Sequence, residues 1–195
     1  MRFVVATHNP GKLREIRRLL TGVPAEVLSA GDLGAPPVVE DGATFEANAR
    51  KKAEEISRAT GLPALADDSG LEVDALGGAP GVLSARFAGE GATDAMNNAR
   101  LLERLRGHPA PWPARYRVVV ALAVPGKPTV VVEGAAEGEI VATPRGSGGF
   151  GYDPHFLDPA LGRTFAELAP DEKDARSHRG KALRAIRPAI EALVR

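Results

Sequence analysis

The chain has 195 residues, no cysteine, and 25 basic side chains against 25 acidic ones. This length fits one domain, or two lobes that share a core, and a hydrophobic fraction of 44% is enough to fill it. The balanced charge argues against a protein that binds nucleic acid polymers, and the lack of cysteine excludes disulfides, thiolate metal sites and a cysteine nucleophile. Because no apolar run approaches a signal peptide or the ~20 residues of a membrane span, we expect a cytoplasmic protein without a membrane partner.

The first sixty residues alternate strands with helices. A β-branched run over residues 2–7 predicts a buried strand, and apolar residues at helical spacing after Asn9 predict the first helix. Residues 25–29 are a candidate second strand. A charged helix is predicted from Thr44 to Thr60, and its apolar face consists of Phe45, Ala49, Ala53 and Ile56.

The rest of the chain mixes crossover connections with a hairpin. The predicted elements are short strands at 63–67 and 70–76, a helix over 93–106, two Val-rich strands within 114–134 joined by "PGKP", a third strand at 135–142, and a final helix over 177–195 that Pro188 kinks. This mixture favours an α/β fold with a mixed sheet, and residues 92–141 are expected to form much of a second lobe.

The stretch "THNPGK" lies between the first predicted strand and the first helix. Free backbone N–H groups at a helix start attract anions, Thr7 and Asn9 can donate to phosphate oxygens, and Lys12 adds a compact positive charge. The spacing is not that of a Walker motif. An ordinary capped turn with a solvent-exposed lysine is the alternative interpretation.

The stretch "DDSG" places two carboxylates, Asp67 and Asp68, side by side after an apolar run. If both are extended, their side chains point to opposite faces, so the two cannot be equivalent ligands. Glu40, which also ends an apolar pair, is a candidate second carboxylate for Mg²⁺, which one or two carboxylates usually hold together with substrate phosphates. The alternative is a solvated turn, because Asp, Ser and Gly all form turns.

Two later stretches add candidate ligand groups. In "GSGGFGYDPHF", glycines allow close approach of the backbone, Phe150 could stack on a flat ring and Asp153 could accept from a base edge. In "DEKDARSHRGKAL", basic residues cluster near the start of the last helix, where an anion could bind. Core anchoring of the aromatics and an exposed, mixed-charge helix start are the alternatives, and we assign Arg176 and Lys181 to the latter.

Four separated segments carry a more specific pattern, namely "ATHNPGKLREI", "ALADDSGLEVDALGGAPGVLSARFAG", "GGFGYDPHF" and "FAELAPDEKDARSHRGKAL". In this order, and spanning the chain, they resemble the non-standard purine nucleoside triphosphate pyrophosphatases, the inosine triphosphatase family. The resemblance implies Mg²⁺-dependent hydrolysis of ITP, dITP, XTP and dXTP to the monophosphate and pyrophosphate, which cleanses the nucleotide pool. It also implies a long mixed sheet with helices, two lobes around a central nucleotide cleft, and a homodimer.

The resemblance assigns roles to individual residues. Asp68 takes the catalytic acidic position and is also a metal ligand, and Glu40 matches a second carboxylate on the metal side. The substrate contacts that it implies are Thr7, His8, Asn9, Pro10, Gly11, Lys12, Ser69, Phe150, Gly151, Tyr152, Asp153, Lys173, His178 and Arg179. Glu46 lies one position before the family's usual acidic residue, and His155 stands where an aliphatic residue is more usual, so neither is assigned to the site.

These assignments give a mechanistic hypothesis. Lys12, Lys173 and Mg²⁺ would neutralise the triphosphate, while Asp68 orients or deprotonates the water that attacks the α-phosphorus. Donors such as Arg179 or backbone N–H groups would pair with the acceptor at position 6 of hypoxanthine or xanthine, where adenine presents a donor. A different phosphohydrolase or phosphotransferase, and a nucleotide-binding module without turnover, are the alternative functions.

Overall fold

The structure is a computed structural model that describes residues 1–193. Its seven strands are β1 (Arg2–Val5), β2 (Glu26–Ser29), β3 (Ala64–Val73), β4 (Trp112–Ala123), β5 (Val130–Ile140), β6 (Phe156–Asp158) and β7 (Arg163–Thr164). Its five α-helices are α1 (Pro10–Leu19), α2 (Phe45–Thr60), α3 (Asp94–Leu105), α4 (Pro170–Arg176) and α5 (His178–Glu191). Short 3₁₀ turns lie at Asp74–Leu76, Gly81–Arg86 and Phe165–Glu167.

The strands form one mixed sheet in the order β2-β1-β3-β4-β5-β6-β7. β1 runs parallel to β2 and β3, whereas β6 runs antiparallel to β5 and β7. Parallel neighbours need crossover connections, which α1 and α2 supply after β1 and β2. The predicted α/β fold with a mixed sheet and flanking helices is therefore confirmed.

Local sequence explains where the helices begin and end. The side chain of Asn9 caps α1 and Pro10 occupies its first position, where a missing N–H costs nothing. Thr44 caps α2 by accepting from the N–H of Ala47, and Gly61 ends that helix in the left-handed conformation with a φ of 67°. Thr93 caps α3 in the same way as Thr44 caps α2.

The chain forms two compact units, each with its own apolar core. Unit 1 comprises Met1–Asp68, Val118–Gly134 and the segment that begins at Arg179. Its core is built from Phe3, Val5, Ile16, Leu20, Val23, Leu65, Val118, Val120, Leu122, Ala182, Leu183, Ile186 and Ile190. Unit 2 comprises Ser69–Arg117 and Ala135–His178. Its core is built from Leu71, Val73, Leu101, Leu105, Ala114, Tyr116, Ala136, Ile140, Tyr152, Phe156, Phe165 and Leu168.

Several predicted elements differ from those observed. The two short strands expected around the acidic pair form one continuous strand, β3, so "DDSG" is not a turn. The third strand expected at 135–142 is the second half of β5. The final helix is α5, which includes Pro188 and ends at Glu191, and its predicted last two residues lie outside the described range. The second lobe over residues 92–141 stays a prediction.

The two Val-rich strands of the predicted hairpin are β4 and β5, which are neighbours in the sheet. Across residues 1–193, no helix is both long and apolar enough to cross a membrane.

Candidate active site

The loop before α1 uses part of its hydrogen-bonding capacity internally. Asn9 Oδ1 accepts from the backbone N–H groups of Gly11 at 2.8 Å and Lys12 at 3.1 Å. Thr7 Oγ1 in turn accepts from the backbone N–H of Asn9 at 3.2 Å, while His8 is exposed. Two of the N–H groups that the sequence offered to an anion are therefore capped by Asn9. The positive charge that this loop contributes comes chiefly from the Lys12 ammonium.

Lys12 belongs to a buried set of charges in unit 1 that we call the Arg179 network, made of Lys12, Glu15, Asp67 and Arg179. Lys12 Nζ lies 3.3 Å from Asp67 Oδ2. Arg179 donates to the same oxygen from Nε at 3.1 Å and from Nη2 at 2.9 Å, and from Nη1 to Glu15 Oε2 at 2.5 Å. Because Arg179 is only 2% exposed, these carboxylates are what allow its charge to be buried.

The charges of the Arg179 network control the ionisation of its members. Burial opposes the ionised form of Asp67, but Lys12 and Arg179 outweigh it and hold the pKa of Asp67 well below its ordinary value. Burial lowers the pKa of Lys12, and Asp67 opposes that shift. Asp67 is thus a permanent anion that holds Lys12 in place, which suits a supporting role rather than proton transfer. The predicted contact of Arg179 with the purine stays a prediction.

The neighbouring carboxylate, Asp68, lies in a second set in unit 1, the Asp68 cluster, made of Glu40, Asn48, Lys52 and Asp68. Asp68 Oδ2 accepts from Asn48 Nδ2 at 2.9 Å, and its Oδ1 lies 3.9 Å from Lys52 Nζ. The Lys52 ammonium also donates to Glu40 Oε2 at 2.9 Å and to the Asp67 carbonyl at 2.7 Å. Asn48 is fixed by the loop before α2, since its Oδ1 accepts from the N–H of Gly42 at 2.7 Å.

Asp68 and Asp67 are adjacent in β3, and their pKa values are shifted in opposite directions. Burial raises the pKa of Asp68, the charges of Lys52 and Lys12 oppose this, and Glu40 adds to it. A carboxylate with a raised pKa is a better proton acceptor than an ordinary aspartate, which is a property that a general base needs. The different partners of the two side chains agree with the inference that they are not equivalent ligands.

Lys52 and Asn48 are candidate functional residues that the sequence analysis did not identify. They are separated by one helical turn on α2, and both are buried among the apolar residues of the same face. Two polar residues at positions i and i+4 within an apolar stripe are the signal that could have identified them. Lys52 stands out because a lysine is rarely this deeply buried without a specific partner.

The Asp68 cluster has the donor chemistry expected for a hard cation. In the described part of the chain, no three His, Cys, Asp or Glu side chains are grouped so that they could hold a metal by themselves. Mg²⁺, however, is usually held by one or two carboxylates, with water and substrate phosphates completing its ligands. Glu40 and Asp68 already have a positive group between them, the Lys52 ammonium, which shows that their field favours a cation. The two residues therefore fit the predicted Mg²⁺ site.

In unit 2, the segment 148–153 forms what we call the aromatic loop, and Asp153 organises it. Asp153 Oδ2 accepts from the backbone N–H of Phe150 at 2.9 Å and from Lys173 Nζ at 2.5 Å. Its Oδ1 accepts from the Tyr116 hydroxyl at 3.3 Å. Lys173 Nζ also lies 4.9 Å from the centroid of the Phe150 ring. These bonds hold the loop together, and the proposed contact of Asp153 with a base edge stays a prediction.

The other predicted residues of unit 2 are mostly buried side chains. The Tyr152 hydroxyl donates to the Ser84 carbonyl at 2.7 Å, which makes this ring a core anchor. The His178 ring stacks on Tyr116 with 4.7 Å between centroids. Ser69, directly after Asp68, is half-buried in β3. Among the predicted residues of this unit, the structure therefore brings Phe150, Asp153 and Lys173 into contact.

Residues that the sequence analysis left outside the site have structural partners. Glu46 accepts from Arg50 at 2.6 Å on the exposed side of α2. His155 Nδ1 lies 2.8 Å from the Val141 carbonyl in the core of unit 2. Arg176 donates to Asp158 from Nε at 2.5 Å and from Nη2 at 3.0 Å.

The fold and the two clusters of unit 1 define an α/β protein with a buried carboxylate–lysine site on a mixed sheet. The chain belongs to the Ham1 family, whose model matches residues 3–189. A Ham1 protein from Coxiella burnetii has a solved structure that is 42% identical, with a TM-score of 0.89 over 97% of this chain and 98% of that one. The Ham1 protein of Staphylococcus aureus is 36% identical, with a TM-score of 0.87 over 98% and 99% of the two chains.

Two curated relatives carry the name of an activity. The dITP/XTP pyrophosphatase of Geobacillus kaustophilus is 52% identical over 98% of this chain and 95% of its own length. The dITP/XTP pyrophosphatase of Syntrophobacter fumaroxidans is 56% identical over 92% of this chain and 78% of its own length. These similarities extend along nearly the whole chain, so they include both the Asp68 cluster and the aromatic loop.

Proposed function

We propose that this chain is a nucleoside triphosphate pyrophosphatase that hydrolyses dITP and XTP, with ITP and dXTP, to the monophosphate and pyrophosphate. The observation that carries the proposal is Asp68, a buried aspartate whose pKa burial raises and whose position Asn48 and Lys52 define. The names of relatives that match along almost the whole chain supply the substrate class. Removing such nucleotides would keep the cellular nucleotide pool clean.

In this reaction Asp68 acts on water. Its carboxylate accepts a proton as the water oxygen bonds to the α-phosphorus, and the bond from that phosphorus to the bridging oxygen breaks. The nucleoside monophosphate and pyrophosphate are the products, and the pyrophosphate carries away the negative charge of the leaving group. A carboxylate whose pKa burial raises is a stronger proton acceptor than an ordinary aspartate, which suits this transfer.

The lysines of unit 1 prepare the phosphate end. Lys12 is fixed by Asp67, and Lys52 is fixed by Glu40 and the Asp67 carbonyl, so neither ammonium has to be ordered when the anion arrives. Fixed charges of this kind stabilise the negative charge that develops on the phosphoryl oxygens. Mg²⁺, which we propose is held by Glu40 and Asp68, would supply further charge neutralisation when bound.

The aromatic loop is our candidate for the purine end. The Phe150 ring offers a flat apolar surface, and Asp153 and Lys173 fix its position. Stacking on an aromatic ring does not distinguish one purine from another. Preference for hypoxanthine and xanthine therefore needs donors to the acceptor at position 6, and backbone N–H groups of this loop or Arg179 are the candidates.

Product identification tests the proposed function. The chain is incubated with Mg²⁺ and dITP, XTP or dATP, and phosphate and pyrophosphate are measured separately. We expect monophosphate and pyrophosphate from dITP and XTP, at rates far above that with dATP. Orthophosphate with the diphosphate would indicate a different phosphohydrolase, and tight binding without product would indicate a binding module. Replacing Mg²⁺ with a chelator should abolish turnover.

Two further properties are proposals that the resemblance supports. We propose that the active form is a homodimer, which light scattering on the purified chain will test, with a mass near twice 20.4 kDa expected. We also propose that it works in the cytoplasm, where nucleoside triphosphates are made and consumed. Fractionation of cells that express the chain tests this location.

A further inference from the structure

Helix α3 holds the peptide groups on both sides of Gly151 in the middle of the aromatic loop. Asp94 Oδ2 accepts from the N–H of Gly151 at 2.6 Å. Asn98 Nδ2, one helical turn further on, donates to the Gly151 carbonyl at 2.8 Å. These bonds join residues that are 57 and 53 positions apart in the chain, so they are tertiary contacts within unit 2 rather than local turn geometry.

Gly151 is a position where the loop needs external support. Its φ is +63°, a conformation that glycine adopts easily but does not hold, because glycine has the most backbone freedom of any residue. A Cβ at this position would meet nothing within 4 Å, so packing does not fix the residue either. Within the loop, the Phe150 carbonyl accepts a long bond from the N–H of Asp153 at 3.3 Å, and the two shorter bonds from α3 restrict the Gly151 N–H and carbonyl from outside it.

The residues of α3 divide between two tasks. Thr93 caps the helix by accepting from the N–H of Met96 at 3.3 Å. Asn97 binds the preceding segment, accepting from the N–H of Ala88 at 2.9 Å and donating to the Ala85 carbonyl at 3.1 Å. Asp94 and Asn98, in the same two turns, make the contacts with Gly151. Burial, and after it the charge of Asp94, raise the pKa of the Tyr152 hydroxyl.

We propose that Asp94 and Asn98 are positioning residues that set the purine preference of the enzyme by fixing the aromatic loop through Gly151. This inference rests on the proposed function, because it gives the loop the task of recognising the base. Asp153 and Lys173 contact the loop at Phe150, and α3 contacts it at Gly151. When the α3 bonds are lost, the Phe150 ring and the neighbouring N–H groups sample several positions. The loop then stabilises a preferred base less, and the difference in free energy between that base and another becomes smaller.

The test compares four variants: Asp94→Ala, Asp94→Asn, Asn98→Ala and Thr93→Ala. Asp94→Ala removes the acceptor, whereas Asp94→Asn keeps an oxygen that can accept from Gly151. Thr93→Ala is the matched control, because it weakens the start of α3 without touching the loop. For each variant kcat/KM is measured with dITP and with dGTP, since any loss of folded protein lowers both values and cancels in their ratio.

We expect Asp94→Ala to lower the dITP-to-dGTP preference about tenfold and Asn98→Ala about threefold, in line with the usual strengths of charged and neutral hydrogen bonds. Asp94→Asn and Thr93→Ala should stay within about twofold of the unchanged chain. An unchanged ratio in both alanine variants of the Gly151 contacts would overturn the proposal, as would an equal loss in Thr93→Ala.

Hydrogen exchange gives a readout that does not depend on turnover. Amide exchange over residues 149–152 should become faster in Asp94→Ala and Asn98→Ala, but not in Thr93→Ala. If the unchanged chain released no pyrophosphate from dITP, the proposed function would fail, and this exchange pattern alone would decide whether α3 fixes the loop. Equal exchange in all variants would show that it does not.

Discussion

The Asp68 cluster and the aromatic loop are each organised by a buried aspartate, but the two carboxylates have different kinds of partners. Asp153 receives a lysine ammonium, a backbone N–H and a tyrosine hydroxyl, so its bonding serves the loop around it. Asp68 accepts from the Asn48 amide at 2.9 Å and lies 3.9 Å from the Lys52 ammonium, and burial, with a further contribution from Glu40, raises its pKa. A carboxylate that many short bonds stabilise is a scaffold, whereas one that burial makes more basic is suited to chemistry.

The largest effect should come from removing the carboxylate of the Asp68 cluster. Asp68→Asn preserves shape but cannot accept a proton, so we expect kcat with dITP to fall roughly 10³-fold. Asp74→Asn is a control, because Asp74 is an aspartate of unit 2 paired with Arg115 at 2.9 Å. Steady-state release of pyrophosphate measures both variants. Near-normal turnover of Asp68→Asn would remove Asp68 from the mechanism.

The next largest effect should distinguish two adjacent lysines of α2, the buried Lys52 and its more exposed neighbour Lys51. Lys52→Met leaves Glu40 and Asp68 without their shared ammonium, and we expect kcat/KM to fall about 100-fold, as for other lost electrostatic partners in active sites. Lys51, which pairs with Asp41 at 2.6 Å on the exposed side, provides the control variant Lys51→Met. Kinetics and thermal unfolding are compared for the pair. Equal losses of kcat/KM in the two variants would show that the buried position of Lys52 does not contribute to catalysis.

Two glycines of the aromatic loop test how tightly Asp153 organises it. A Cβ on Gly149 would lie 2.0 Å from Asp153 Oδ2, whereas one on Gly151 would meet nothing within 4 Å. Both residues have positive φ, so each alanine variant carries a backbone strain of about 1–2 kcal/mol. Gly149→Ala should lose about 2 kcal/mol more than Gly151→Ala, because it also displaces the carboxylate. Urea unfolding measures the difference, and equal stabilities would mean that Asp153 moves aside without cost.

A third aspartate, Asp158, serves as a comparison, because we assign it a structural role and no catalytic one. Hydrogen bonding to Arg176 holds the pKa of Asp158 below its ordinary value of 3.8. A lowered folded-state pKa stabilises the protein above the unfolded pKa, and this contribution is lost as the pH falls through the folded value. Asp158→Asn should therefore cost about 1 kcal/mol at pH 7 and less below pH ~3.8, with kcat unchanged. Denaturant unfolding at several pH values checks this, and a cost independent of pH would contradict the ion-pair explanation.

The sequence indicated those parts of the fold that short-range patterns encode. Apolar spacing located α1 and α2, and Val-rich runs located β4 and β5. One error lay at Gly134, after which a separate strand was expected, whereas β5 continues without a break from Val130 to Ile140. The acidic pair caused another, because neighbouring cations and amides satisfy Asp67 and Asp68 inside a strand that their polarity appeared to end.

The candidate site was predictable where one residue type carries the chemistry and hidden where distant residues create it. Lys12 and Asp68 stand in recognisable motifs. The ion pair of Glu15 with Arg179 joins residues that are 164 positions apart, and no local pattern in either segment predicts it. Lys52 was missed because its helix was judged by its apolar residues, although a lysine on that face was visible in the sequence.

Lys52 gives the Asp68 cluster a positive charge of its own, which offsets part of the charge of its two carboxylates. Its ammonium serves as a resident counterion for Glu40 and Asp68, so the repulsion between these carboxylates is relieved during folding by the chain itself. A newly made chain therefore need not capture a dissolved cation to reach its native structure. Under the proposed Mg²⁺ requirement, removal of divalent ions should abolish turnover without unfolding the protein, and resupply of Mg²⁺ should restore activity at once.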